Sequence, residues 1–195
     1  MDNKDTTSVG IYAQHYPRTA AIITSRHGDK TNAMTAAWHT PVSFNPPLFA
    51  VALAPKRFSY KLIIASKEFA VNFMPASHAE AVAAVGGIGG ENVDKLRSFR
   101  LSLDRPAKTL APIIRAAYAA YECRLKDDYL CGDHRLLIGE IVAVHWQKSA
   151  FADDGSLELS KINPLLYIGN ERYLSTDGCV IQTLERELCL GRLKA

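Results

Sequence analysis

The amino-acid sequence predicts a mainly β fold, a predominantly antiparallel barrel with short helices. Short runs of strand-forming residues recur along the chain and are bounded by turn residues. The helical segments between them are brief and do not alternate regularly with the strands, which disfavours a doubly wound parallel sheet. With 195 residues the chain has the length of one domain, and we find neither internal repeats nor a long linker.

The first predicted strands form a hairpin. The apolar run 19–24 precedes a glycine-aspartate pair at 28–29, which suits a hairpin loop, so the next strand should pair with the first. That next strand begins near Asn32, and its length together with Pro41 predicts a bent or interrupted strand near a sheet edge. The continuous apolar run 48–53 predicts a strand covered on both faces.

Helical spacing follows that strand. It predicts a short helix over roughly 59–66, with Ser59 placed to cap its N-terminus. Strand character returns at 69–74, and the alanine-rich stretch that begins at His78 predicts a second helix, which the glycine cluster 86–90 ends. Further along, the sequence predicts a short helical segment and then two strand-rich stretches, at 93–97, 115–126 and 135–147.

Composition excludes several classes of protein. Hydrophobic residues make up 48% of the chain and charged residues 22%, as in ordinary globular domains. The 23 basic and 20 acidic residues give a net charge of +3 and are scattered, so nucleic acid is not an expected partner. The sequence has neither an apolar run of membrane-spanning length nor the apolar core of a secretory signal, so no membrane partner is expected and the predicted location is cytoplasmic.

The cysteines and histidines do not have the spacing of metal ligands. No C-x-x-C pair occurs, and the six histidines include no H-E-x-x-H pattern, so no metal is expected. Nor does the chain contain a G-x-S-x-G elbow or a Walker sequence. Reduced, partly buried thiols are the favoured interpretation of the four cysteines, Cys123, Cys131, Cys179 and Cys189.

Two segments have residues that suit an anion. The backbone amides of the glycine cluster 86–90 could approach a phosphate, but the cluster follows a helix instead of a buried strand, which favours a mobile loop that could gate a pocket. At the start of the first helix, Lys56, Arg57 and Ser59 could converge on a phosphate. A solvated Lys-Arg pair beside a capping serine is an equally good interpretation of that segment.

Two further segments have polar groups that suit a flat ring or its reaction partner. The stretch 32–35 (Asn-Ala-Met-Thr), followed by Ser43, could present polar groups to a flat ring, although alone it reads as an ordinary strand. His134 follows Asp133 at a turn-to-strand junction, where a structural role is more common than a catalytic one.

In their order along the chain, these segments resemble the flavin reductase-like, FMN-binding split-barrel family, particularly its flavoredoxin branch. The resemblance covers roughly residues 14–170; each motif is weak alone and their ordered combination is specific. The matching segments are Tyr16-Pro17-Arg18, Thr24-Ser25, Asn32 to Thr35, Trp38, Val42 to Pro47, Ala54 to Arg57, Ser59-Tyr60, Phe69 to Asn72, Gly132-Asp133-His134, Gly139-Glu140 and Pro164 to Tyr167.

The resemblance implies a Greek-key split barrel that forms a homodimer and holds FMN non-covalently near the subunit interface. It implies one domain over 1–195, with a core at about 14–170 and a C-terminal extension at 171–195. His134 would lie near the flavin or the incoming nicotinamide. The residues implied to bind FMN are Asn32, Ala33, Met34 and Thr35 at the isoalloxazine with Ser43 nearby, Lys56, Arg57 and Ser59 at the phosphate, and Asn72 in the same pocket.

The activity that the resemblance implies is oxidoreduction. NADH or NADPH would give a hydride to FMN, and electrons would pass to free flavin, a ferric complex or an acceptor protein. One alternative is a flavoredoxin-like electron carrier that holds FMN tightly and reacts poorly with nicotinamides. A second alternative is a flavin-binding or purely structural barrel without turnover.

Overall fold

The computed structural model describes residues 9–10, 12 and 14–180. Their helices are α1 (Phe58–Ser66), α2 (Ala79–Gly87) and α3 (Lys95–Ser98), with 3₁₀ turns at Ala76–His78 and Lys148–Ala150. Their strands are β1 (Arg18–Thr19), β2 (Ala21–His27), β3 (Lys30–Ala36), β4 (His39–Ser43), β5 (Leu48–Leu53), β6 (Glu68–Phe73), β7 (Leu103–Asp104), β8 (Ile113–Ile114), β9 (Ala119–Cys131), β10 (His134–Trp146), β11 (Leu166–Gly169) and β12 (Arg172–Leu174).

An antiparallel sheet of seven strands forms the body of the molecule, in the order β3-β2-β6-β9-β10-β5-β4. Its two edge strands, β3 and β4, are joined through only Ala37 and Trp38. Three virtual bonds between Cα atoms span at most about 11 Å, so the two edges must lie close together and the sheet must be rolled into a barrel. The predicted antiparallel barrel is therefore confirmed. The single bent strand expected from Asn32 onward is instead two strands, one at each edge.

The predicted hairpin joins β2 to β3, with His27 opposite Lys30. Gly28 has φ +57°, as the first central position of a type II′ turn requires. A two-residue loop makes its flanking residues a hydrogen-bonded pair, and the pattern then alternates along the strands. The N–H and C=O groups of Ala33 and Thr35 accordingly turn away from β2, towards the free edge of β3.

Alternation along β2 divides the core into two layers. Ala21 and Ile23 face the barrel interior, where Ile63 of α1 and Phe69 of β6 are also buried. Ile22 faces the opposite side and packs in the layer that includes buried valines of α2. Each layer is built from fully buried apolar side chains, so the sheet is fixed between them and the helices are held against one side of β3.

Helix α1 confirms the helix predicted over 59–66 but corrects its cap. Arg57 is the N-cap residue, and its side chain makes no capping hydrogen bond. Ser59 lies inside the first turn and is fully buried. The predicted capping role of Ser59 is therefore wrong, because the helix begins one residue earlier and its hydroxyl oxygen accepts a hydrogen bond from another element.

A buried carboxylate anchors the segment between β7 and β8. Glu122 accepts hydrogen bonds from the backbone N–H groups of Ala107, Lys108 and Thr109 and lies 2.6 Å from Nε2 of His145. Burial alone would raise the pKa of Glu122, but these hydrogen bonds lower it to about 2. The segment is thus held to β9 by a charged group with no exposed surface.

The C-terminal boundary of the core differs from the expected one. The β11–β12 hairpin spans residue 170 and reaches Leu174, so the extension begins after β12 and not at residue 171. The part of the predicted extension beyond residue 180 lies outside the described residues, as does Cys189. Within the described part of the chain, none of the helices has the length and apolarity needed to cross a bilayer.

Candidate functional site

A cleft runs along the free edge of β3, between that strand, the start of α1 and the glycine cluster that follows α2. Its narrow end has a volume of about 260 Å³ and its wide end about 710 Å³. Thr35, Arg57 and Gly86 line both ends, so the two volumes form one continuous cleft. The structure thereby brings together two segments that the sequence offered separately, 32–35 and 56–59.

The narrow end is basic. Lys56 and Arg57 line it at the start of α1, and Lys95 of α3 lines it from the opposite element. Lys95 is 4% exposed, and its ammonium group donates a hydrogen bond to the Val85 carbonyl oxygen at 2.8 Å. Burial, and then the charge of Arg57, lowers the pKa of Lys95. Three cations and the positive end of a nine-residue helix make this end suitable for an anion such as a phosphate.

The floor of the narrow end is a buried polar pair. Nδ2 of Asn32 donates a hydrogen bond to Oγ of Ser59 at 2.9 Å, while Oδ1 of Asn32 is buried and has no hydrogen-bond partner in the structure. Gly90 lies so close that a Cβ atom built on it would collide with the Asn32 amide. An unpaired buried acceptor costs about 1–3 kcal/mol, so this oxygen is positioned for a donor that enters the cleft.

The remaining residues of the segment 32–35 divide between cleft and core. Met34 and Thr35 line the cleft, and the Thr35 hydroxyl donates a hydrogen bond to the carbonyl oxygen of Val82 in α2. The side chain of Ala33 is fully buried in the core, so Ala33 can reach a ligand only through the main-chain groups at the free edge of β3.

The wide end is aromatic. Tyr16, Trp38, Tyr167 and Tyr173 line it. The Tyr16 and Tyr167 rings meet edge to face with their centroids 5.3 Å apart, and Nε1 of Trp38 donates a hydrogen bond to the Tyr16 hydroxyl at 3.2 Å. Large aromatic side chains arranged in this way offer apolar walls to a planar ring.

His134 is not among the residues that line the cleft, but it contacts one that does. Its ring centroid is 5.0 Å from that of Trp38, and its Nδ1 atom lies 2.8 Å from a carboxylate oxygen of Asp133. That hydrogen bond lowers the pKa of Asp133. The hairpin that carries both residues therefore supports Trp38 from behind.

Two of the predicted site residues lie elsewhere. Asn72 is fully buried: its amide group donates to the Ile22 carbonyl oxygen and to the Thr24 hydroxyl, and its Oδ1 atom accepts from the N–H group of Ile114. All of its polar capacity joins strands, so its assignment to the cofactor pocket is wrong.

Ser43 lies on the opposite edge strand, β4. It lines a separate cavity of about 560 Å³ and not the cleft. Within one chain the expected proximity of Ser43 to the segment 32–35 is therefore wrong as well. The two-residue connection places the strands that carry them at opposite edges of the sheet.

Sequence reasoning missed Lys95 and undervalued the glycine cluster. Lys95 carries no local signal of burial, since it stands among polar residues at the start of a four-residue helix. The glycine cluster was assigned to a loop outside a phosphate fingerprint, and it does follow a helix, yet Gly86, Gly89 and Gly90 line the basic end. Among the described residues, no group of three or more His, Cys, Asp or Glu side chains could hold a metal ion.

Comparison with protein families gives one match over most of the chain. A family model described as "Flavin reductase like domain" matches residues 13–175. An uncharacterised protein from Aeropyrum pernix is 34% identical over 191 residues, covering 92% of this chain and 70% of the relative. Another, from Pyrococcus abyssi, is 32% identical over 164 residues, covering 84% of this chain and 93% of the relative.

Solved structures share the fold. The FMN-binding protein from Thermus thermophilus with bound 1-cyclohex-2-enone has a TM-score of 0.78 and 29% identity, covering 90% of this chain and 95% of that chain. The flavoredoxin of Desulfovibrio vulgaris (Miyazaki F) has a TM-score of 0.81 and 25% identity, covering 96% of this chain and 100% of that chain. Both similarities extend over the cleft and the barrel alike.

Proposed function

Because this chain belongs to the family of flavin reductase-like domains, we propose that it is an FMN-dependent oxidoreductase that accepts hydride from NADH or NADPH. One observation carries the proposal: a single cleft combines a basic end with an aromatic end along the free edge of β3. FMN has the same polarity, with a phosphate at one end of the molecule and a flat polar ring at the other.

The groups in the cleft fit FMN. Lys56, Arg57 and Lys95 would hold the phosphate, and the Ser59 hydroxyl lies beside them. The buried Oδ1 atom of Asn32, which has no protein partner, would accept a hydrogen bond from a ligand donor. Main-chain groups of Ala33 and Thr35 would face the polar edge of the ring, and Met34 would pack beside it.

Bound FMN would supply the redox chemistry, taking hydride from the nicotinamide and passing electrons to free flavin, a ferric complex or an acceptor protein. The chain's own residues position and shield. The basic end neutralises the phosphate, and the main-chain donors favour added negative charge on the ring. The aromatic end excludes water and orients a second planar ring, and His134 fixes Trp38 within that wall. None of these roles requires a protein nucleophile.

The reductase is favoured over a pure electron carrier by the size of the aromatic end. Its 710 Å³ leave space for a second planar ring beside the cofactor, which a carrier does not need. We place the reaction in the cytoplasm, where both nicotinamide donors occur.

We also propose a homodimer. Phe44 is 98% exposed at the mouth of the cavity that Ser43 lines, and Val42 beside it is 48% exposed. The walls of that cavity include Phe49, Phe73 and Tyr121. A fully exposed phenylalanine beside an apolar cavity is typical of a protein interface, and a second copy would present the same knob and the same cavity in return.

The proposal is tested by anaerobic spectroscopy. The purified protein is saturated with FMN, NADH and NADPH are added separately, and bleaching of the bound flavin is followed. We expect rapid bleaching by at least one donor. Bound FMN that resists both donors but is reduced by dithionite would identify the carrier, and a protein that binds no FMN would overturn both assignments.

A further inference from the structure

The turn that closes the aromatic end of the cleft carries an acidic residue in an unusual conformation. Asn170 and Glu171 connect β11 to β12 with φ +51° and +58°. Left-handed backbone is adopted readily by glycine and asparagine and is costly for glutamate. Such residues persist where the surrounding structure imposes them, often at ligand sites.

Glu171 belongs to the aromatic end by position as well. It lines the same volume as Tyr16, Trp38, Tyr167 and Tyr173. Burial, then the charges of Tyr167 and Glu171, raises the pKa of Tyr173, so the carboxylate lies near that phenol. Its backbone N–H group also donates to the Tyr167 hydroxyl at 3.5 Å.

The cleft is therefore polarised along its length. Arg57 lies at the junction with the basic end, and no ion pair joins it to Glu171 among the described residues. Aromatic faces around a carboxylate are the chemistry that recognises organic cations, since both the ring quadrupole and the negative charge attract them. A neutral ring would gain only the apolar contacts.

We propose that the aromatic end binds a planar cationic ring, the pyridinium ring of an oxidised nicotinamide, and that Glu171 selects for its positive charge. This inference rests on the proposed function. When the donor's C–H bond breaks, the hydrogen leaves with both electrons as hydride, bound FMN accepts it, and the nicotinamide ring is left with a charge of +1. Glu171 thus makes an attraction that grows as the donor is oxidised, which favours the transition state over the bound substrate.

The test measures binding and not turnover. N1-methylnicotinamide is a planar cation, and nicotinamide is its matched neutral analogue. Each is titrated by calorimetry into FMN-saturated protein, and again into flavin-free protein. We expect the cation to bind about three- to tenfold more tightly than the neutral ring, with a preference that weakens in high salt. Equal binding of the two compounds would overturn the proposal.

Substitution assigns the preference to the carboxylate. Glu171→Gln keeps the shape of the side chain and should abolish the preference for the cation. Glu158→Gln removes an exposed carboxylate that lines none of the cavities described above and should leave the preference intact. A preference that survives Glu171→Gln would remove Glu171 from the site. FMN titration of the same samples reports on the proposed function separately, because Glu171 lies outside the basic end.

Discussion

The side chain of Asn32 donates a hydrogen bond to the hydroxyl oxygen of Ser59 at 2.9 Å, and this bond ties β3 directly to the first turn of α1. The two residues are 27 positions apart in the sequence and come from the two segments in which ring and phosphate ligands were expected. A single buried contact thus fixes the distance between the parts of the cleft that would hold the two ends of FMN.

Removing the cations at the start of α1 should separate phosphate binding from ring binding. We expect Lys56→Ala combined with Arg57→Ala to weaken FMN by about 100-fold or more, because each charge-assisted contact contributes about 1.5–3 kcal/mol. Riboflavin, which lacks the phosphate, should lose no more than about threefold. Fluorescence titration measures both. Lys148→Ala with Lys161→Ala is the exposed control pair, and equal losses for the two ligands would mean that the phosphate binds elsewhere.

Lys95 offers a sharper test because it is buried. Lys95→Met should weaken FMN by about tenfold or more while leaving riboflavin nearly unchanged. The melting temperature without ligand should stay the same or rise, since the variant no longer buries an ammonium group. Calorimetric binding and thermal melts check both expectations. If FMN affinity and stability fell together, Lys95 would be structural.

His134 should affect the nicotinamide and not the cofactor. We expect His134→Ala to raise the apparent KM for NADH or NADPH about three- to tenfold, because Trp38 loses the ring that supports it. The protein should retain its yellow FMN colour. Steady-state kinetics provides the measurement, and Asp133→Asn, which keeps the ring but weakens its hydrogen bond, should give a smaller increase. Unchanged kinetics in His134→Ala would leave the histidine without a role in donor binding.

Acid should destabilise the protein through Glu122. The pKa of this carboxyl group is lowered from 4.5 to about 2, so its contribution to stability is present above about pH 4.5 and is lost as the pH falls towards 2. That contribution is roughly 2–4 kcal/mol. Urea unfolding of Glu122→Gln should therefore show a lower stability at neutral pH and a flatter dependence between pH 5 and 2. Glu158→Gln should keep the wild-type slope, and a wild-type slope in Glu122→Gln would contradict the assignment.

The proposed homodimer depends on Phe44. Phe44→Asp would place a charge in an apolar interface, so sedimentation velocity should show a shift from dimer towards monomer. Leu110→Asp changes another exposed apolar residue, 60% accessible and outside that cavity, and should leave the dimer intact. A wild-type protein that sediments as a monomer would refute the interface directly.

Local signals in the sequence predicted what is local in the structure. Gly28 marked the β2–β3 hairpin, and helical spacing marked α1. The break between β3 and β4 was not visible, because Ala37 and Trp38 include no turn residue although the chain passes there from one sheet edge to the other. Asn72 was assigned wrongly for a related reason: its partners lie 42 to 50 residues away, and no local pattern encodes such contacts.

The two edges of the rolled sheet meet beside the cleft without closing into a continuous ladder, and this has a consequence for how the site evolves. Main-chain groups of Ala33 and Thr35, which a closed barrel would use to bond its own last strand, remain available to a ligand instead. A ring that bonds to them takes the place of the missing strand. Because peptide groups survive every substitution except proline, this part of recognition can persist while the side chains along β3 change.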